Sequence, residues 1–188
     1  MKNKNIDFLL FAGFTSNLFY SISYPIIHTI LIKGINSNFM SFVSLLSCVL
    51  AIIVNKIWLK YSDKLYKHFG KMLFLEGIFY GSLVLLFITK NIDVWRYYLI
   101  DALLYSSITL NIICGGTRLK AIRYKDKNRE EFDNKNNLLC NLSCIFGYGF
   151  GALTKLNINF AFILMFIGTI VDNLFYYIIY KKENKNYS

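Results

Sequence analysis

Apolar residues gather into long runs, which short polar or charged segments separate. Each run holds about 20 residues, the length that an α-helix needs to cross the hydrocarbon core of a bilayer. Polar residues are scattered through the runs rather than collected in the stripe of a soluble helix, and the runs are much longer than β-strands. The pattern predicts an all-α, polytopic membrane protein in which residues 1–188 form one transmembrane domain, with a polar tail at 181–188. The six predicted transmembrane helices are Phe8–Ile32, Phe39–Trp58, Lys71–Thr89, Trp95–Gly116, Asn137–Thr154 and Ile158–Tyr180.

The composition of the 188-residue chain agrees with this prediction. Hydrophobic residues make up 55% of the sequence and charged residues 17%, which excludes an intrinsically disordered chain. The four Cys are too few for a disulfide scaffold, and Cys140 and Cys144 are more typical of small apolar fillers than of a metal site. The first run is longer than the apolar region of a signal peptide and lacks a cleavage site, so we expect a retained first helix.

The 21 Lys and Arg residues alternate between rich and poor connections. Seventeen of them lie at the two termini and in the second and fourth connections, whereas four lie in the first, third and fifth connections. The alternation follows the positive-inside rule. It predicts a multi-pass protein of the inner cell membrane with both termini in the cytoplasm. Because basic loops beside a bilayer also explain the net charge of +10, we expect no nucleic-acid partner.

The second connection, around Lys56–Lys71, carries a motif within its segment Trp58–Lys71. It resembles the loop signature of the major facilitator superfamily, Gly-x-x-x-Asp-Arg/Lys-x-Gly-Arg/Lys-Arg/Lys, at Asp63, Lys64 and Lys67. The other signature positions, two Gly and a further base, are occupied here by Leu59, Tyr66 and His68. The fifth run is similar to the glycine-rich fifth helix of that family, with Gly147, Gly149 and Gly151.

The resemblance implies one six-helix, amino-terminal half of such a transporter, with this loop on the cytoplasmic side between helices two and three. In the family the loop is associated with holding the inward-closed arrangement. Asp63, Lys64 and Lys67 are therefore candidates for a cytoplasmic gating loop, with Arg118 at the inner end of helix four as a partner for Asp63. The alternative is a solvated turn in which Asp63 caps the following segment and the lysines meet anionic lipid.

Polar residues share a helix face within the first and the fourth run. In the first run, spacings of three and four bring the side chains to one side of the helix. In the fourth run, the polar residues lie roughly along one side. The resemblance implies that helices one and four line the transport pathway, whereas the alternative for each residue is an interhelical hydrogen bond, worth less than about 2 kcal/mol. The substrate-path candidates are Asn17, Tyr20, Tyr24, Asp101, Tyr105 and Asn111.

Ionisable side chains inside the runs are further candidates, because a charge at the bilayer centre costs about 2.5–3.5 kcal/mol on insertion scales. Glu76, Asp101 and His28 lie near enough to an interface for us to expect that they reach water. Asp172 lies deeper in the sixth run, and we expect it to bond an Asn or Tyr of a neighbouring helix.

The sequence contains none of the common patterns of zinc peptidases, serine hydrolases or phosphate-binding loops, so we expect no enzymatic activity, no metal and no cofactor. It predicts instead the membrane transport of an unidentified small solute. The transporting unit would be a half-size, major-facilitator-like permease that acts as a homodimer or with a separate partner half, or a truncated remnant of a permease. The alternatives are a substrate-binding membrane subunit of a multi-component importer and a membrane accessory or immunity protein without transport activity.

Overall fold

The computed structural model of the chain describes residues 8–124, 126–153 and 157–185. Within these ranges the fold consists of six long helices and has no strand, which confirms the prediction of an all-α protein. One of the helices, α4, contains a π-helical turn at Tyr105–Thr109. The helices are α1 (Phe8–Gly34), α2 (Ser37–Tyr66), α3 (Phe69–Ile88), α4 (Val94–Arg123), α5 (Asp126–Leu153) and α6 (Ile158–Lys185).

Short polar residues fix the starts of three helices. The Asn36 side chain accepts a hydrogen bond from the backbone N–H of Asn38 at the start of α2 (2.8 Å). The Asp93 carboxylate accepts from the N–H of Arg96 at the start of α4 (3.1 Å), and Asn157 caps α6 in a similar way. Each cap satisfies an N–H that has no partner inside its helix, so the connections before these helices can be short.

Three helices extend well beyond their predicted ends. Helix α4 continues past Gly116 to Arg123. Helix α2 continues past Trp58 to Tyr66, with a break in the helical backbone at Tyr61 (φ −125°, ψ 24°). Helix α5 begins at Asp126 rather than at Asn137. Most of the predicted second and fourth connections is therefore helical, because charged residues continue a helix without adding to an apolar run.

The remaining boundaries are closer to the prediction. The predicted polar tail is helical up to Lys185. Residues 186–188 of that tail, and Thr154 at the predicted end of the fifth run, lie outside the described residues.

The helices pack in pairs that follow one rule. Helix α1 lies between α5 and α6, helix α4 packs against α2 and α3, and α3 packs against α6. Suppose that α1 is exchanged with α4, α2 with α5, and α3 with α6. The contact between α1 and α5 then becomes the contact between α4 and α2, and the contact between α1 and α6 becomes that between α4 and α3. The contact between α3 and α6 is unchanged. The principal contacts therefore have the pattern of two structurally related three-helix units.

Much of the apolar surface faces outward. Of the 30 residues of α2, only Val43, Trp58 and Tyr66 are buried, whereas Phe42 and Leu45 are more than 60% exposed. A water-soluble protein rarely exposes an apolar patch of this size. In the part of the chain that the structure describes, four helices are long and apolar enough to cross a membrane, namely α2, α3, α4 and the segment Ile158–Glu183 of α6, so the protein is built around several membrane-type helices.

The other two helices are of similar length but more polar. Helix α1 carries Thr15, Ser16 and Asn17 within three successive residues. The first half of α5, up to Asn137, is largely polar or charged. The six predicted spans and the orientation of the termini therefore belong to the proposal below.

Candidate functional site

Exposed tyrosines of three helices form a connected group with one aspartate. In α1 the rings of Tyr20 and Tyr24 stack at a centroid distance of 5.1 Å, and His28 lies at the same distance from Tyr24. Tyr20 and Tyr24 are 45% and 36% exposed although they lie near the middle of a long helix. Their spacing of four residues places all three rings along one side of α1.

Helix α4 contributes the aspartate to the same surface. Asp101 and Tyr105 are four residues apart, and Tyr105 is 55% exposed. Asp101 and Tyr105 both lie close enough to Tyr20 to act on it electrostatically, as does Tyr148 of α5. We call this surface the tyrosine face; its residues are Tyr20, Tyr24, Asp101, Tyr105 and Tyr148.

The tyrosine face brings together four of the six substrate-path candidates. It has donors and acceptors in the Tyr hydroxyls, one carboxyl group and the faces of aromatic rings. In the described part of the chain, none of these Tyr hydroxyls has a protein hydrogen-bond partner. The surface is therefore chemically able to bind a ligand or to face water.

The other two candidates are held in contacts between helices. Asn17 donates to the Gly13 carbonyl (2.7 Å) and to the Cys140 sulfur of α5 (3.3 Å). Asn111 accepts a hydrogen bond from the Trp58 indole of α2 at 2.5 Å. Both side chains tie neighbouring helices together, which is the alternative role that the sequence left open for them.

Glu76 forms a separate, closed polar cluster. Its side chain is 4% exposed, so the expectation that it reaches water is wrong. The carboxylate accepts hydrogen bonds from the Thr109 hydroxyl (2.6 Å) and from the Asn173 amide (2.8 Å). Asn173 also donates to the Leu73 carbonyl (3.1 Å). The cluster joins α3 to the π-helical turn of α4 and to α6, and its partners leave the carboxylate no open side.

Asp172 lies beside this cluster on α6. It is close enough to Tyr176 to act on it electrostatically, and Glu76 and Lys120 act on it in turn. The bond to a neighbouring helix that was expected of Asp172 is made by the next residue, Asn173. Lys120 of α4 and Cys140 of α5 also lie near Asp172, whereas Glu76 and Asp172 are not among the residues near Tyr20 that define the tyrosine face.

The gating-loop candidates meet at the junction of α2 and α4. Arg118 forms an ion pair with Asp63, as the sequence predicted. Its guanidinium also donates to the Ser62 hydroxyl (2.8 Å) and lies 5.4 Å from the ring centroid of Tyr66. Asp63 lies inside α2, so the prediction that it caps the following helix is wrong; the residue before α3, His68, makes no side-chain cap.

The two loop lysines do not take part in this ion pair. Lys64 and Lys67 are exposed, and the Lys67 carbonyl accepts a hydrogen bond from the Tyr180 hydroxyl of α6 at 2.9 Å. The junction of α2 and α3 is thereby tied to the end of α6.

Sequence reasoning missed several residues of these clusters. Tyr97 and Tyr80 lie close to Asp101, and Tyr148 lies close to Tyr20. Tyr97 could have been found, since it precedes Asp101 by four residues and so shares its helix face. Tyr80 and Tyr148 come from other helices, and no local spacing points to them.

Comparison of the chain with family models, with curated proteins and with solved structures finds no match.

Proposed function

We propose that the protein is a six-span inner-membrane protein, with both termini in the cytoplasm, that moves a small solute as a half-size, major-facilitator-like permease. In this proposal the tyrosine face lines a path that a second six-helix unit completes, either a second copy of the chain or a separate partner half. Alternating access then consists of the two units rocking around a site between them.

The observation that carries the proposal is the exposure of the tyrosine face. Tyr105 lies near the middle of α4, and Tyr20 lies near the middle of α1. Hydroxyl groups and a carboxyl group at such a depth would face hydrocarbon if this surface met lipid, and a polar group that is buried there without a partner is costly. A water-filled path closed by another protein unit removes that cost.

The pairing of the helices supports the same proposal. In the proposal, each three-helix unit crosses the membrane three times. The second unit therefore starts on the opposite side from the first, and the two units have opposite orientations. Inverted repeats of this kind occur within each six-helix half of the major facilitator fold, and the two halves themselves run parallel. A second unit in the same orientation can therefore face the first, and α1 and α4 hold equivalent places in their repeats.

Crosslinking in native membranes tests the proposal. The variant Tyr148→Cys places a thiol on the tyrosine face, and a bifunctional crosslinker is attached to this thiol rather than to amines. It is expected to yield a product larger than one chain. The matched control is Leu85→Cys, on an exposed surface of α3 (62%) away from that face, and it is expected to remain at the monomer size. Both variants are made in a background in which the four native Cys are replaced.

The composition of the crosslinked product separates the candidate roles. A product that contains two copies, or one copy and a second multi-span protein, supports a paired permease. A product that contains a nucleotide-binding energising subunit would instead support the substrate-binding subunit of an importer. Monomers alone from Tyr148→Cys would contradict the proposal.

A further inference from the structure

We infer that the tyrosine face binds an organic cation, with Asp101 as the counter-charge and the tyrosine rings as the surrounding wall. The inference rests on the proposed function and names the class of its substrate: a monovalent cation that carries apolar or aromatic groups.

Within residues 8–124, 126–153 and 157–185, no compensating charge pairs with the carboxylate of Asp101. Among the residues described, no ion pair or hydrogen bond reaches it. Arg96, the nearest basic residue before it on α4, is held instead over the Trp95 ring, with 5.0 Å between the guanidinium carbon and the ring centroid. Asp101 is half-buried, and a carboxylate without an internal partner is left to water or to a cation from outside, because an unpaired charge away from water is costly.

Tyr97 lies one turn before Asp101 on α4, and Asp101 acts electrostatically on it. Its side chain is 1% exposed, and its ring packs against Phe87 and Phe162 in the apolar core. Tyr97 therefore belongs to the packed core beside the site and not to the tyrosine face.

The aromatic rings match a cation better than an anion or a neutral polar solute. The faces of tyrosine rings carry negative potential, and such rings attract ammonium and related groups at distances up to about 6 Å. The stacked pair Tyr20 and Tyr24 and the exposed Tyr105 offer such faces next to the one carboxyl group of the surface. No basic side chain belongs to the tyrosine face, so it provides nothing that would pair with an anion.

Two probe ions of nearly equal shape and opposite charge test the inference. The full chain is reconstituted in lipid nanodiscs, and equilibrium dialysis measures the uptake of tetraphenylphosphonium and of tetraphenylborate in excess of empty nanodiscs. We expect saturable binding of the phosphonium cation and none of the borate anion. Equal binding of both ions, or no phosphonium binding above the empty nanodiscs, would overturn the inference.

Variants then locate the charge. Asp101→Asn keeps the shape of the side chain and is expected to weaken phosphonium binding by about thirtyfold or more. The same substitution at Asp172, an aspartate within the apolar run of α6, is the matched control and is expected to change binding by less than about threefold. Folding of each variant is checked by gel filtration and thermal unfolding. An Asp101→Asn protein that is folded and binds within threefold of the parent would contradict the assignment.

Variants of Tyr20 test the role of the rings. Tyr20→Leu removes the aromatic face and is expected to weaken binding roughly five- to thirtyfold, whereas Tyr20→Phe keeps the face and is expected to stay within about twofold. Equal losses of phosphonium binding in both variants would mean that the Tyr20 hydroxyl acts rather than its ring. This result would contradict the inference that the tyrosine rings contact the cation.

The inference and the proposed function can fail separately. A chain that crosslinks to a second unit but does not distinguish the two probe ions keeps the permease proposal and loses the cation site. A chain that binds phosphonium through Asp101 but stays monomeric in membranes keeps the cation site and loses the half-permease.

Discussion

At the scale of single residues, the polar side chains within the long helices fall into two kinds. Glu76, Asn17 and Asn111 each find partners on neighbouring helices. Among the described residues, Asp101 and the four tyrosines of the tyrosine face have no such hydrogen-bond partner. In a low-dielectric environment, polar side chains with partners stabilise the bundle. Polar side chains without partners lower its stability there, which indicates that they serve a function.

Replacing Glu76 tests the structural role of the closed cluster. Glu76→Ala removes the acceptor of two hydrogen bonds that join α3 to α4 and α6, and each such bond contributes up to about 1.7 kcal/mol. We expect the free energy of unfolding in detergent to fall by about 1–3 kcal/mol. The control is Glu130→Ala, at an exposed position of α5, which is expected to change it by less than about 0.5 kcal/mol. Equal effects of the two variants would show that the cluster contributes nothing.

The sequence identified most residues of the tyrosine face but assigned some polar residues wrongly. Spacing alone placed Asn17 with Tyr20, yet the Asn17 amide lies against α5. Glu76 was expected to reach water because it lies little more than one turn into its helix, and it is buried by Thr109 and Asn173. Spacing determines which side of a helix a residue lies on, whereas burial depends on which helices pack there, and that is a long-range property.

At the scale of the helices, glycines set the distance between α1 and α5. A methyl group added at Gly151 would lie 2.7 Å from the Ile22 carbonyl oxygen, and one added at Gly147 would lie 2.6 Å from the Ser21 side chain. The two backbones therefore approach closely, as two glycines four residues apart on one helix face allow. Gly149, between them, has no neighbour within 4 Å of the same position.

Alanine substitution distinguishes these glycines. Gly151→Ala forces α1 and α5 apart, because the contact is with backbone that cannot move aside, and we expect a loss of about 1–3 kcal/mol in unfolding free energy. Gly149→Ala meets no obstacle and gains helix propensity, so we expect no loss and a gain of up to about 1 kcal/mol. Thermal unfolding in detergent measures both, and a loss at Gly149 as large as that at Gly151 would contradict the close approach.

At the junction of α2 and α4, substitutions of Asp63 and of Arg118 are expected to lower the free energy of unfolding by different amounts. Asp63 is largely exposed (81% of its side chain) and contributes only the ion pair, so Asp63→Ala is expected to cost less than about 1 kcal/mol. Arg118→Ala also loses the bond to Ser62 and the contact with Tyr66, so it is expected to cost more. A double-mutant cycle in chemical unfolding measures the pair, and an Asp63→Ala loss that exceeds the Arg118→Ala loss would contradict this assignment.

The sequence predicted the number and order of the helices but not all of their ends. Hydropathy detects the apolar part of a helix, so the charged turns of α2 up to Tyr66 and of α5 from Asp126 were assigned to connections. The π-helical turn at Tyr105–Thr109 had no sequence signal either. It places the Thr109 hydroxyl against Glu76, a contact between helices that periodicity cannot show.

At the scale of the whole molecule, the arrangement of helices and the exposed polar surface point to the same conclusion. Helices α1 and α4 hold equivalent places in the two three-helix units, and both carry residues of the tyrosine face. The apolar surfaces of α2 and α3 are suited to lipid, whereas the tyrosine face is suited to water or to another protein unit. The proposed permease follows from this difference between surfaces.

Water access to the tyrosine face tests the central claim most directly. In a background without the native Cys, Tyr105→Cys is compared with Phe79→Cys, because both positions replace exposed aromatic residues (55% and 45%) near the middle of their helices. A membrane-impermeant, charged methanethiosulfonate reagent reacts with the thiolate, which forms only where water reaches the sulfur. We predict that Tyr105→Cys reacts at least about tenfold faster than Phe79→Cys in native membranes. Equal rates at the two positions, or an unreactive Tyr105→Cys, would contradict a water-filled path along α1 and α4.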